Sequence, residues 1–311
     1  MNDHHDPTRA FILFGALRSG TSLLRLMLNA HPKITCPSEM DFLVDHLNAD
    51  GHYDLAELRA DRIYRAHEAL YPKNPLPNPT PQSLVDRIAG QGGDLAGIIL
   101  HRNLSEALAQ FESIPVVHLV RDPRDVARSS LGMGWAGHVY YGVDHWIDTI
   151  SDWKAAMPAL PEDRRLVVAY EELIKAPQET LAAICTFVGL PFDPAMLTYD
   201  SGSSYGKPDP SLTTQWKRKQ SAHEVGLVEG KIGDLLQEAG YDDSGFPIIK
   251  PGPIQRTWIW LRHKQRQWSW RIDRYGLFDP IFANSVERLG LPQLGRKARA
   301  RMEATKIENL K

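Results

Sequence analysis

The sequence predicts an α/β fold, a three-layer, P-loop-like arrangement in which helices flank a central parallel sheet, with a basic, tryptophan-rich helical segment at the C-terminal end. Three observations carry that prediction. Short apolar runs recur at residues 11–15, 97–100, 116–120 and 166–169, nearly continuous rather than alternating, as strands buried on both faces of a parallel sheet are. Each run is followed by a stretch with helix-forming signals, the order that strand–crossover–strand units require. At 311 residues, 42% hydrophobic and 24% charged, the chain is long enough to bury a large core.

The first run, Phe11-Ile12-Leu13-Phe14, leads into G-A-L-R-S-G-T-S at 15–22 and then into the helix-like run 23–28. A strand, a glycine-bounded loop and a helix start present backbone N–H groups and the positive end of a helix dipole to a phosphate. The spacing is close to that of a nucleotide-binding P-loop, but Thr21 stands where the P-loop lysine would be, which argues against an ATPase. The loop's cation is Arg18, placed to reach an oxygen on a group being transferred. Residues 71–81 carry five prolines and read as a surface loop, and segments 41–80 and 132–145 are expected to wall an acceptor pocket. After the run V-V-H-L-V at 116–120 comes V-R-D-P-R-D-V-A-R-S-S, with Asp122 as N-cap, Pro123 at the first helical position and Asp125 in the first turn. Arg121 at the strand exit and Ser129 two turns on are expected to share one phosphate, while Arg124 and Arg128, four apart, are expected to form surface pairs. After 166–169, Pro177 and Glu179 open a helix with Leu181, Ile184, Cys185 and Val188 on one face, closed by Gly189-Leu190-Pro191. Residues 201–211 form a second irregular stretch. Its G-x-S-x-G at 202–206 lacks the strand-turn-helix setting of a hydrolase elbow and is read as chance.

Charge divides the chain. Residues 251–311 carry 13 Lys and Arg against 5 Asp and Glu, a surplus of +8, which leaves 23 against 33, or −10, for residues 1–250. Two segments are expected on that basis: a nucleotide-binding domain over 1–250 and a basic helical extension over 251–311. In the extension Trp258, Trp260, Trp268 and Trp270 alternate with arginine and lysine, so residues 254–301 are candidates for homo-oligomer or membrane-surface contact, for gripping an acidic substrate, or for packing on the acidic body. No nucleic-acid partner is expected. Two distant cysteines, Cys36 and Cys185, fit no disulfide framework, and the N-terminal residues read as neither signal peptide nor anchor, so a cytoplasmic location is expected. His138 and His145, seven apart without carboxylates at ligand spacing, read as helix-face residues and Trp153 as core, and no metal is expected.

Residues 18–32 read R-S-G-T-S-L-L-R-L-M-L-N-A-H-P, residues 121–124 read R-D-P-R with a serine eight residues after the first arginine, and 170–173 read Y-E-E-L. Together these motifs resemble the sulfotransferases that use 3′-phosphoadenosine 5′-phosphosulfate, and among them the tyrosylprotein and carbohydrate-type branch. The resemblance covers 11–40, 97–131, 146–190 and 205–217. It implies that Arg18, Ser19, Gly20, Thr21 and Ser22 hold the 5′-phosphosulfate, that Arg121 and Ser129 hold the 3′-phosphate, and that Tyr170 contacts the nucleotide. It implies Glu39 as the base that deprotonates an acceptor hydroxyl, with Arg18 on the leaving oxygen and 3′-phosphoadenosine 5′-phosphate as product. His101 or Arg102 stands where many relatives carry a lysine. Ser211, with Lys217, falls in a late loop, opened by Gly206-Lys207-Pro208, that closes over the nucleotide. At 37–38 the branch carries Gly-Glu and this chain Pro-Ser, which opens the acceptor to a carbohydrate, a small molecule or a lipid-linked hydroxyl. The alternatives are a nucleotide kinase or NTPase, which would need Mg²⁺, and a catalytically silent nucleotide-binding module.

Overall fold

The computed structural model describes residues 10–48, 50–70, 76–90, 93–111, 113–199, 208–289, 293–299 and 301–302. It divides into two compact units. The first comprises Met1–Asp122, His145–Ser201 and Lys207–Thr213, the second Pro123–Asp144, Gly202–Gly206 and Thr214–Lys311. Residues 214–250 thus belong to the same unit as the basic C-terminal segment.

The first unit is built on five parallel strands, β1 (Ala10–Phe14), β2 (Ile34–Thr35), β3 (Leu95–Leu100), β4 (Val116–Val120) and β5 (Arg165–Ala169), in the order β2-β3-β1-β4-β5. From β1 the chain winds outward through β2 and back to β3, then crosses to β4 on the other side of β1. The direction of winding reverses there, and open sheets of this kind bind ligands outside the carboxyl ends of their strands at such a point. Alternate residues of β1 feed two cores. Phe11 and Leu13 join Leu24, Met27 and Leu28 of α1 (Thr21–Asn29), while Ile12 and Phe14 join residues of the opposite layer. That layer contains α2 (Phe42–Asp45), α3 (Leu55–Ala60), α4 (Arg62–Leu70), α5 (Pro81–Ala89) and α6 (Leu104–Gln110). Segment 41–80, expected from the sequence to wall an acceptor pocket, holds α2, α3 and α4 among its described residues. Of the proline-rich loop, 71–75 lie outside the described residues and 76–80 are coil up to the Thr80 capping box that opens α5.

Three expected strands are fully buried apart from the first residue of β1, but β5 departs from expectation. It is an edge strand, and Val167 is 54% exposed. His118 lies inside β4 against Trp153, with ring centroids 4.2 Å apart, and burial pushes its imidazole down to about 3, so it is a neutral core residue. Trp153 is core, as expected. Cys36 and Cys185 are both buried free thiols of this unit, pushed up by burial to about 12 and about 11.

The first unit is completed by α9 (Asp144–Ala156), whose first residue belongs to the second unit, and by α10 (Tyr170–Lys175) and α11 (Pro177–Phe187), which opens at Pro177 and ends before Gly189. The second unit contains α7 (Pro123–Gly132), α8 (Val139–Gly142), α12 (Trp216–Lys219), α13 (Ala222–Ile232), α14 (Leu235–Glu238), α15 (Pro253–Tyr275) and α16 (Phe278–Arg288). Arg124 corrects the sequence reading, because it is no surface residue. It is 3% exposed, its guanidinium bonds Glu229 Oε1 at 2.7 Å and lies 4.0 Å over the Trp216 ring. Among the described residues no helix is long and apolar enough to cross a membrane.

Candidate active site

The carboxyl ends of the five strands deliver the candidate residues in turn. β2 leads to Glu39, β3 to His101, β1 to the loop at 15–20, β4 to Arg121 and β5 to Tyr170. All belong to the first unit.

The loop after β1 is constrained at both ends by close contacts. Gly15 is required because a Cβ there would meet the Leu119 carbonyl oxygen at 2.6 Å. At the other end Gly20 adopts φ 96°, and a Cβ would lie 2.4 Å from the Tyr170 ring. Between them Arg18 takes φ 71°, a strained conformation for a residue with a side chain. α1 then opens without a side-chain cap, so its first-turn N–H groups face the loop's concavity. Ser19 is fully buried, and its Oγ has no hydrogen-bond partner among the described residues. Thr21 is buried and Ser22 half-buried at the helix start. The loop is held from below by His145, whose Nε2 donates to the Leu17 carbonyl at 3.0 Å.

Arg121 gathers three expected pieces of the site around one guanidinium. It donates to the Arg18 carbonyl at 3.0 Å and to the Leu212 carbonyl at 2.7 Å, and it lies 4.2 Å over the Tyr170 ring. It is 6% exposed, and its buried Nε has no partner among the described residues. Trp146 fixes the strand exit by donating Nε1–H to the Arg121 carbonyl at 3.0 Å. Ser211 sits one residue from the Leu212 contact, in the turn Pro210–Leu212, with its Oγ donating to Asp209 at 2.7 Å. Gly206 and Lys207 of the expected late loop, like the G-x-S-x-G stretch, lie outside the described residues. Ser129 is half-buried on α7 and Lys217 exposed on α12, both in the second unit.

Glu39 is held by a backbone bridge to Ile99, with the Met40 amide on the Ile99 carbonyl at 2.9 Å. Its carboxylate is 3.6 Å from His101 Nε2. His101 is buried and donates Nδ1–H to the Gly15 carbonyl at 2.6 Å, which leaves Nε2 directed at Glu39. Its backbone N–H donates to the buried Asp41 at 2.8 Å. The imidazole holds the Glu39 carboxyl below the usual carboxylate range, against the opposing pull of burial. Burial works against the His101 cation, yet the Glu39 contact and the negative charges of Asp41 and Glu39 raise its pKa above that of an ordinary histidine. Of the two candidates at 101–102, His101 therefore faces Glu39, whereas Arg102 is committed to a two-point pair with Asp45. Nothing in the sequence marks Asp41 or His67 as site residues. His67 contacts Ser38 Oγ at 3.0 Å, next to Glu39.

His138 caps α8 by accepting from the Tyr140 amide. Among the described residues no group of three His, Cys, Asp or Glu is arranged to hold a metal.

A profile of the sulfotransferase family matches residues 10–194. A protein-tyrosine sulfotransferase of Drosophila melanogaster is 25% identical over 198 residues, which cover 60% of this chain and 39% of that protein. Protein-tyrosine sulfotransferase A of Caenorhabditis elegans is 24% identical over 213 residues, 64% of this chain and 55% of that one. The chain thus spans about half or less of the length of these relatives. The sulfotransferase domain from the Synechococcus PCC 7002 olefin synthase shares the fold, with a TM-score of 0.55 at 22% identity over 75% of this chain and 98% of that domain.

Proposed function

The chain belongs to the sulfotransferase family, and we propose that it transfers a sulfuryl group from 3′-phosphoadenosine 5′-phosphosulfate to a hydroxyl of a carbohydrate, small-molecule or lipid-linked acceptor. One observation carries the reading: the adjoining ends of β1, β4 and β5 close an anion loop, a buried arginine and a tyrosine ring around one another, while β2 and β3 set a carboxylate beside a buried histidine. The orphaned Ser19 Oγ and the uncapped start of α1 both suit a bound sulfuryl or phosphoryl oxygen.

In this reading Arg18, Ser19, Gly20, Thr21 and Ser22 hold the 5′-phosphosulfate. Arg121 takes the 3′-phosphate with Tyr170 and Ser211 nearby, and Ser129 is proposed for that phosphate on the spacing of the motif alone. The bound co-substrate supplies an activated sulfuryl group. Glu39 accepts the acceptor's hydroxyl proton as the acceptor oxygen bonds to sulfur in line with the breaking bond to the 5′-phosphate oxygen. Arg18 and the loop N–H groups stabilise the charge gathering on that leaving oxygen, so the electrostatics supports transfer much as in phosphoryl transfer. His101 keeps Glu39 ionised and in place. Two buried thiols suit a reducing, cytoplasmic setting.

Titration calorimetry with 3′-phosphoadenosine 5′-phosphate, against ATP with Mg²⁺ and repeated on Arg121→Ala, tests the reading. Metal-independent binding of the bisphosphate that weakens by about 1.5–3 kcal/mol in the variant is expected for a charge-assisted contact. Preference for ATP with Mg²⁺, or no nucleotide binding, overturns it.

A further inference from the structure

Helix α15 carries apolar side chains on two opposite faces, and among the described residues only one of them holds fully buried side chains. Ile259 and His263 are buried, with Gln267 and Trp270 continuing that face as partly buried residues. At 3.6 residues per turn the opposite face is Ile254, Trp258, Leu261, Trp268 and Ile272, interrupted by Gln265. Ile254 is 78%, Trp258 64% and Leu261 45% exposed. Next in the chain, α16 exposes Phe278 and Phe282, stacked with centroids 5.5 Å apart. Single exposed apolar side chains are ordinary, whereas Ile254, Trp258 and Leu261 aligned on one face over about two turns, with half-buried Trp268 and Ile272 continuing the line, are not.

Charge decides what covers the stripe. α15 carries Arg256, Arg262, Lys264, Arg266, Arg271 and Arg274 against Asp273 alone. On a helical projection Lys264 and Arg271 flank the stripe on one side and Arg262 on the other. A second copy laid symmetrically on this stripe would bring two such cationic helices together, which is unfavourable. An anionic lipid surface instead receives tryptophan, leucine and isoleucine at the headgroup boundary and phosphate oxygens against the flanking cations. We propose that α15 lies in the plane of an anionic bilayer surface, with Ile254, Trp258 and Leu261 inserted and Arg262, Lys264 and Arg271 on the headgroups. The polar interruptions and the helix's overall charge fit lying on a membrane rather than crossing it. This surface belongs to the second unit and its argument does not depend on the proposed reaction.

Flotation of the full chain with phosphatidylcholine vesicles, with and without phosphatidylglycerol, is the test. The protein is expected to float with the anionic vesicles, to stay behind with neutral ones and to be released by salt. Trp258→Ser with Leu261→Ser, and separately Arg262→Gln with Lys264→Gln, are each expected to weaken association by about tenfold or more. All four positions are exposed, and an unchanged thermal melt of each variant establishes that it is folded. Failure of the wild-type chain to float with phosphatidylglycerol vesicles, or equal flotation of the variants, overturns the proposal. So does a dimer in sedimentation velocity that Trp258→Ser with Leu261→Ser dissociates, because the stripe is then covered by a second copy.

Discussion

At Glu39 the dominant influence on the carboxyl is the imidazole beside it, and the reverse holds in part for His101. Glu39 therefore stays ionised to lower pH than an ordinary glutamate, and His101 stays protonated to higher pH than an ordinary histidine. Replacing His101 by Gln removes the cation. The acid limb of the transfer profile is then expected to move up toward the ordinary carboxylate range, which a pH–rate series on the variant measures. The stability signs follow from linkage. The Glu39 contribution is present above its unfolded value and fades as pH falls through the depressed folded one. That of His101 is present below its unfolded value and fades as pH rises through the raised one. The difference in melting temperature between wild type and His101→Gln should accordingly be largest between the ordinary glutamate and histidine values, shrinking on either side. Glu39→Gln should cut transfer by about 10²-fold or more while leaving affinity for 3′-phosphoadenosine 5′-phosphate nearly intact, and equal loss of binding would remove Glu39 from the base role. The sequence led to Glu39 only through the family resemblance. Asp41 could not be found at all, because the amide it accepts from is 60 residues away and nothing local marks it.

The loop between β1 and α1 was readable because its chemistry is contiguous: glycines at both ends, a cation inside and a helix after it. What the sequence did not reveal is that Gly20 is fixed by a residue 150 positions later, the ring of Tyr170. Gly20→Ala should therefore cost about 1–3 kcal/mol of stability for the positive φ, more if Tyr170 cannot yield, and should lose nucleotide binding as the ring is pushed off Arg121. A thermal melt and a calorimetric titration read the two effects separately. α7 shows the opposite failure. Its start at Asp122-Pro123 was legible, but Arg124 was read as a surface residue, since helical spacing to Arg128 says nothing of Glu229 waiting on α13. Both members of that pair are almost fully buried, so Arg124→Ala, which removes the cation and leaves the Glu229 carboxylate a buried charge bonded by Ser244, should destabilise by about 3–5 kcal/mol in a denaturant titration.

For the whole molecule, parallel strands were legible from continuous apolar runs, because a sheet covered on both faces leaves no alternation to read. The strand order was not, since β1 pairs with β3 and β4 through backbone contacts that no local pattern records. Two-residue β2, which leads to Glu39, is too short to form an apolar run, so periodicity alone does not mark it. The chain's two cysteines give this architecture a practical use. Both thiols sit in the sheet-bearing unit, and both are held far above neutral pH by burial, so no thiolate is presented to an alkylating reagent while that unit stays closed. The other unit has no cysteine at all. Consumption of iodoacetamide by the native protein should be negligible and become complete in denaturant. In between, its rate is a stopwatch that runs only when the sheet opens and is deaf to anything the cationic helices do.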